Sequence, residues 1–430
     1  MMNYNDAMDY IESLSKYGSV LGLDNMKELM RRLSNVQDKL SFIHVAGTNG
    51  KGSVSAFLSS MLIESGLKVG TYSSPSVFSY LEKIKIGRRI LSKAKFAASL
   101  EKVAKEADAM EIHPTQFEVE TACAFLAFYE AGCDVVVLEC GLGGDSDATN
   151  IIKTGRLAVI TSISLDHMDY LGTSLSDIAQ KKAGIIKDKM PLVTCRQEKE
   201  AEDILKAVCE AKGSSIHIAD SDRNIDIIKD EYGDICFTAK GFDGCLGDDT
   251  LKMSMSLSGE HQLENVSVAI MAALVLKLDY RAIVNGVKKA VNPGRLSKLM
   301  ESPLLIMDGA HNIDAILSLK RSIEKYFKKK RLIFIIGVFR DKSYDKMMEI
   351  IAPMAEQIIT VATPFNKRAL PAIELAECIM KYNKKVSAAA SVEEALELSL
   401  LFSAKKDIIL AFGSLSYLGL LKQAVEARNK

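Results

Sequence analysis

Leu40-Ser41-Phe42-Ile43-His44-Val45-Ala46-Gly47-Thr48-Asn49-Gly50-Lys51-Gly52-Ser53 is an apolar run that ends in a glycine-rich turn carrying one lysine. The run reads as a buried strand. The stretch after the turn places Val54, Phe57, Leu58, Met61 and Leu62 at helical spacing. Strand, turn and helix in this order aim backbone N–H groups and a helix N-terminus at a polyphosphate, and Lys51 adds a full positive charge. Gly47, Thr48, Asn49, Gly50, Lys51, Gly52 and Ser53 are therefore the expected cradle for a nucleoside triphosphate. The turn departs from the common G-x-x-x-x-G-K-[ST] form. Gly52 follows Lys51, and the hydroxyl arrives one residue later, at Ser53.

Outward from this turn, apolar strand-like runs alternate with helical stretches. Besides 40–46 they cover 134–140, 157–163, 190–194, 304–308, 331–338, 357–362 and 407–413, and many end in Gly, Asp, Ser or Thr. This pattern predicts an α/β protein with parallel sheets covered on both faces and ligands at the carboxyl ends of the strands. Residues 214–258 carry short alternating runs, such as Met253-Ser254-Met255-Ser256-Leu257, which read as a small antiparallel sheet appended to the first domain. With 430 residues two domains are expected. The turn Asn292-Pro293-Gly294 puts their boundary near 297, giving domains of 1–297 and 298–430.

Lys+Arg and Asp+Glu both number 55, so the chain lacks the basic excess of a general nucleic-acid binder. Lys328-Lys329-Lys330-Arg331 reads as a solvated helix end before a strand. Eight cysteines lie scattered without a CxxC pair, which argues against a zinc site, and Cys123, Cys140 and Cys195 fall in apolar stretches as reduced core residues. The N-terminus has no signal-type apolar core and no uncharged run reaches membrane-spanning length, so a cytoplasmic setting without membrane attachment is expected.

Asp134-Val135-Val136-Val137-Leu138-Glu139 is a buried strand ending in a carboxylate, followed by Cys140-Gly141-Leu142-Gly143-Gly144. Beside a phosphate turn, Glu139 is either a Mg²⁺ ligand or a capped or salt-bridged strand end, since Mg²⁺ takes few protein oxygens in addition to phosphate and water. The next strand ends in Ser164-Leu165-Asp166-His167-Met168-Asp169. His167 suits a metal ligand or a positioned base, and its strand is expected to neighbour that of Glu139. From spacing alone, Lys181 and Lys182 form a solvated helix face.

The ordered motifs resemble the folylpolyglutamate/dihydrofolate synthases of the Mur ligase superfamily. Gly47–Ser53 is similar to their ATP loop. Glu139 to Asn150 resembles E-x-G-L-G-G-R-L-D-A-T-N, and Leu165-Asp166-His167 through Lys182-Ala183-Gly184-Ile185 resembles L-D-H…K-A-G-I. Phe117-Glu118-Val119-Glu120-Thr121-Ala122, Gly259–Asn265, Pro293-Gly294-Arg295, Asp308-Gly309-Ala310-His311-Asn312 and Phe412-Gly413-Ser414-Leu415 match further family motifs in the right order. The resemblance implies a Mur-ligase-like fold: a P-loop ATPase N-terminal domain with a small antiparallel sheet, plus a Rossmann-like C-terminal domain. It implies ATP and two Mg²⁺ ions, with Ser53 at the first metal and Ser74, Glu139, His167 and a carbamylated Lys182 at the second. By the same resemblance Asn265, Arg295 and Asp308 contact the nucleotide, Phe117, Asp147 and Ala148 bind the pteridine, and Lys51, Lys182, Arg295 and His311 are the catalytic set. A guanidinium such as Arg295 suits charge on a transferred phosphoryl group, Asp308 suits ribose hydroxyls, and His311 has a local capping contact as its alternative role.

The implied activity joins L-glutamate to dihydropteroate or reduced folates at the expense of ATP. The expected partners are these small molecules, and the protein is expected to act as a monomer. A Mur-type ligase with a peptide or cell-wall acceptor, or a non-catalytic ATP-binding paralogue, are the alternatives. Three departures fall in substrate-facing loops: Asp145 stands where the family has Arg, Ser76 where it has His, and Leu81-Glu82-Lys83-Ile84 where it has N-E-R-I.

Overall fold

Phe42–Ala46 (β1) and Val135–Glu139, each buried at every residue, are parallel neighbours at the centre of an eight-stranded sheet. Their β-branched and aliphatic side chains fill both faces, as a doubly covered parallel sheet requires. The computed structural model describes residues 1–18, 22–153, 155–247, 249–364 and 368–428. The sheet continues with β2 (Val69–Tyr72), β3 (Ile84–Ile86), β4 (Arg89–Ile90), β5 (Val135–Glu139), β6 (Gly155–Ile160), β7 (Leu192–Cys195) and β8 (Ile216–Ala219). Its order is β4-β3-β2-β5-β1-β6-β7-β8, parallel except at β3 and β4. The chain leaves β1 toward β2 on one side and returns through β5 to β6 on the other, so a crevice opens at the carboxyl end of β1.

Two sequence expectations change here. The strand leading to His167, β6, does not neighbour β5, because β1 lies between them. Both edges of β5 are taken by β2 and β1. Glu139 and His167 thus approach the phosphate turn from opposite sides. Residues 216–219 also leave the expected antiparallel group and pair in parallel with β7. Ile216-His217-Ile218-Ala219 is a half-buried edge strand, and its alternation mimics an antiparallel pattern. The remaining strands of that segment, β9 (Ile225–Glu231), β10 (Asp234–Lys240) and β11 (Thr250–Met255), do form a small antiparallel sheet. Phe237, Met253 and Met255 pack into the same core as Val54, Phe57 and Met61.

The helix Lys51–Glu64 begins directly at the turn and packs between the helices Glu260–Val275 and Tyr280–Lys289. At Gly286 a Cβ would strike the Met61 backbone, so only glycine lets these two helices approach so closely.

The second sheet contains β12 (Ser297–Glu301), β13 (Leu304–Met307), β14 (Leu332–Ile336), β15 (Gln357–Thr360), β16 (Val386–Ala388) and β17 (Ile408–Phe412), in the order β12-β13-β17-β14-β15-β16. Only β12 runs antiparallel. Helices Ile313–Tyr326 and Tyr344–Ile351 cover one face, and Val392–Phe402 and Leu415–Arg428 the other. Val77 and Phe78, from the loop after β2, pack against that second core, with the Lys422 ammonium 4.0 Å from the Phe78 ring centroid.

His44 shows what burial at the sheet centre costs. It is wholly enclosed, with Nε2 2.9 Å from Thr149 Oγ1 and Nδ1 without a partner. Burial pushes its pKa down to about 3, and burial likewise pushes His261 and His311 down to about 4. In the unfolded chain these groups titrate near ~6.5, so below that pH the unfolded state binds more protons. The stability these three histidines contribute is therefore complete above about pH 6.5 and falls as the pH drops toward the folded values. At ~1.4 kcal/mol per unit of separation, His44 alone accounts for on the order of 4 kcal/mol by pH 3. His44→Met should lose less of its urea midpoint between pH 7 and pH 4 than the wild type does.

Candidate active site

The phosphate turn is held by the end of β6. Thr48 donates its backbone N–H to Ser162 O at 2.8 Å, and Thr48 Oγ1 accepts from Ser164 N at 3.0 Å. Thr161 Oγ1 donates to Asn49 O at 2.6 Å. Gly47 and Gly50 have φ of +144° and +88°, and a Cβ at either would collide with Thr161 Oγ1 or Asn265 Oδ1. The helix Lys51–Glu64 starts without a side-chain cap, so its first N–H groups stay available to an anion. Lys51 Nζ rests on the turn itself, donating to Gly47 O at 2.9 Å and Thr48 O at 3.1 Å.

A cavity of about 780 Å³ opens over this turn, between the carboxyl ends of the two sheets. Gly47 through Ser53, Ser74, Glu139, His167, Lys182, Asn265, Arg295, Asp308 and His311 all line it. Residues distant in sequence thus meet in one place. Phe117, Asp147 and Ala148 are not among its lining residues. The Phe117 ring lies against Gly141, where a Cβ would strike it. The Asp147 carboxylate accepts from Leu142 N at 2.8 Å and Thr149 N at 3.0 Å, which holds the Gly141–Gly144 turn in shape.

Glu139 is 3% exposed, and its Oε2 has no hydrogen-bond partner. Burial pushes its pKa up to about 7 against the pull of Lys51, Arg295 and the Ser74 backbone. A buried, unpartnered carboxylate oxygen beside a phosphate turn is costly unless a cation joins it. Among the described residues no three of His, Cys, Asp and Glu gather as a self-sufficient metal cluster. Mg²⁺ needs few protein oxygens, because phosphate and water complete its shell, and the unpartnered Glu139 Oε2 is such an oxygen. The donor set therefore suits a nucleotide-bound Mg²⁺ and not a structural metal. Ser53 Oγ is 3.0 Å from Asn292 Nδ2 and 3.2 Å from Gln262 Nε2 and accepts from both. His167 takes a left-handed backbone with φ of +52°, and burial lowers its pKa.

Lys182 overturns the reading of a solvated lysine pair. Lys181 is half-exposed and pairs with Asp145 at 3.0 Å, so the charge reversal at Asp145 is absorbed by a neighbouring lysine. Lys182, one position on, turns inward to 3% exposure and donates to Gly47 O at 2.9 Å. Burial, then Lys51, pushes its pKa down to about 7. The helix Leu175–Ala183 is amphipathic, and adjacent positions face different environments.

From the second sheet, Asp308 accepts from Leu296 N at 2.9 Å and Ala310 N at 2.8 Å, which fixes the connection between domains. Arg295 lies against Gly309. His311 is neutral at neutral pH, and its Nδ1 lies 2.7 Å from Gly309 O. A carbonyl only accepts, so Nδ1 carries the proton and Nε2 is left as an acceptor.

Sequence reasoning passed over Lys342, whose Nζ donates to Asp166 Oδ1 at 2.9 Å. Burial would raise the Asp166 pKa, but Lys342 outweighs it and holds the carboxyl far below the usual range. The signal for Lys342 was its place in the loop after the central strand β14, at a carboxyl end.

Residues 45–273 match the Mur ligase middle domain, and residues 294–415 match the glutamate ligase domain of Mur ligases. The dihydrofolate synthase/folylpolyglutamate synthase of Bacillus subtilis (strain 168) is 35% identical over 381 residues, 85% of this chain and 87% of that protein. A solved Mycobacterium tuberculosis folylpolyglutamate synthase complexed with ADP has a TM-score of 0.89 at 26% identity, covering 98% of this chain and 99% of that chain. Escherichia coli FolC in complex with DHPP and ADP has a TM-score of 0.86 at 28% identity, covering 99% of this chain and 98% of that chain.

Proposed function

The chain belongs to the folylpolyglutamate and dihydrofolate synthases of the Mur ligase family and is an ATP-dependent ligase, and on that premise we propose how its own residues join L-glutamate to a pteridine carboxylate. The observation that carries this reading is the unpartnered Glu139 Oε2 in the same cavity as the Lys51 turn. Residues 1–297 hold ATP and the pteridine, and residues 298–430 bring glutamate.

A carboxylate is a poor electrophile because its leaving group would be oxide. An oxygen of the pteridine carboxylate attacks the γ-phosphorus of ATP, ADP departs, and an acyl phosphate forms. The turn's backbone N–H groups and Lys51 hold the phosphates, and Arg295 offsets charge on the transferred group. Ser53, nearest the phosphates, and Ser74, Glu139 and His167 at a second position would hold Mg²⁺, which would supply charge neutralisation between the two anions. Lys182 is substantially a neutral amine at neutral pH, the only form that adds to CO₂, so it is fit to be carbamylated. The glutamate amine then attacks the acyl carbon, and the tetrahedral intermediate collapses with loss of phosphate. His311 offers its Nε2 as a hydrogen-bond acceptor on the glutamate side. Phe117, Asp147 and Ala148 shape the pteridine side from behind the Gly141–Gly144 turn, while Asn265 and Asp308 border the nucleotide.

Among the described residues no helix is long and apolar enough to cross a membrane. All eight cysteines are free, and a reducing cytoplasm is the setting proposed. A monomer has every proposed site residue within one chain.

ADP release from purified protein, with glutamate and either dihydropteroate or tetrahydrofolate, tests the reading and separates the two activities. Glutamate-dependent ADP release with at least one pteridine is expected. No ADP with either, but release with a peptide acceptor, would overturn it.

A further inference from the structure

Asn312 is the N-cap of the helix Ile313–Tyr326, with Oδ1 accepting from Ala315 N at 2.9 Å. The cap fixes the side chain and leaves its amide nitrogen facing the other domain. There Nδ2 donates to Asn49 Oδ1 at 3.2 Å, in the phosphate turn, and to Asp166 Oδ2 at 3.1 Å. Lys342 takes the other Asp166 oxygen at 2.9 Å. The Lys342 and Asp166 side chains are 9% and 12% exposed. Among the described residues two other pairs join the domains: Arg321–Glu260 is more than half exposed on each side, and Lys325–Asp230 leaves its lysine 37% exposed. Exposed pairs contribute little, whereas an enclosed pair is costly to break from one side because a buried charge is left behind.

Asp166 is tied in turn to the site. Two residues before it, Ser164 is bonded to Thr48, and His167 follows it directly. One carboxylate of the first domain thus has each oxygen held by a side chain from a different strand end of the second, β13 through Asn312 and β14 through Lys342.

We propose that Asp166, Asn312 and Lys342 form the latch that sets the glutamate-bearing domain over the phosphate turn, which makes Lys342 a positioning residue for the amide-forming step. This rests on the ligase reading above. The latch acts on the reaction by fixing where the second domain's strand ends lie relative to the acyl phosphate, and a small misplacement of reacting groups carries a large rate penalty. The phosphate turn itself, residues 47–53, belongs to the first domain and stays tied to the end of β6 without Lys342.

The test compares Lys342→Met, Asp166→Asn, Lys342→Arg and Asp166→Asn/Lys342→Met with wild type, using glutamate kinetics, affinity for a non-hydrolysable ATP analogue, and hydrogen exchange on the intact chain. Lys342→Met should lower kcat/KM for glutamate roughly 100-fold. Its Kd for the analogue should move by less than about threefold. Exchange at residues 164–168 and 311–316 should quicken by about tenfold. Lys342→Arg should recover most of the loss, because the charge returns. The double variant should be less impaired than the two single losses combined, since neither charge is left buried alone, and it decides the matter if Lys342→Met does not fold. Unchanged exchange in Lys342→Met, or activity and analogue binding falling in parallel, would overturn the latch. Absence of ADP formation by wild type with every pteridine would sink the ligase reading instead, while the exchange data would still judge the latch.

Discussion

Lys51→Met is expected to cut glutamate-dependent ADP formation by roughly 100- to 1000-fold, the loss typical of removing one preorganised group that meets developing charge. Lys51 is the sole cation within the turn, and its ammonium rests on the carbonyls of Gly47 and Thr48. An incoming polyphosphate can draw it off these neutral acceptors at small cost, because a charged acceptor forms the stronger bond. The fold should be unaffected. Lys51 is the first residue of its helix, its contacts are local, and methionine is a good helix former. Thermal unfolding should match wild type within about 2 °C, as for other substitutions at partly exposed positions. Activity within tenfold of wild type would remove Lys51 from phosphate handling.

Lys182→Met should lower turnover by roughly 100-fold or more while the ATP-analogue Kd stays close to wild type. The side chain is buried but touches the turn only through Gly47 O, a carbonyl that Lys51 also serves. Removing Lys182 therefore leaves no orphaned acceptor. Methionine of similar length fills the space without burying a charge, so stability should hold or rise. The pKa near 7 adds a second readout. Stripping dissolved CO₂ from the assay should reduce wild-type turnover if the amine works as its carbamate, and Lys182→Met should not respond. Full turnover in the variant would exclude Lys182 from the reaction, and wild-type indifference to CO₂ would exclude the carbamate.

The phosphate turn was legible because its conformation is a local demand. Positive φ at Gly47 and Gly50, and an uncapped helix start, leave marks within a few residues. The central strands were legible because burial on both faces forces continuous apolar runs, as in Val135–Leu138. β2 and β16 were missed for the converse reason. Val69-Gly70-Thr71-Tyr72 is short and interrupted by a glycine that exists to admit the Phe128 ring. Val386–Ala388 is a three-residue edge strand. Lys182 could not be told from Lys181 because spacing records that a residue lies on a helix, not which neighbour covers it.

By itself the sequence determined the nucleotide turn, the alternation of strands and helices, the ordered motifs and thus the kind of ligase. Only the tertiary structure decided that β1 separates Glu139 from His167 and that Lys342 crosses to Asp166. The physical reason is range. Backbone torsion and burial periodicity are written into adjacent residues, whereas strand order and the meeting of two domains depend on packing between segments more than a hundred residues apart, to which no short stretch bears witness.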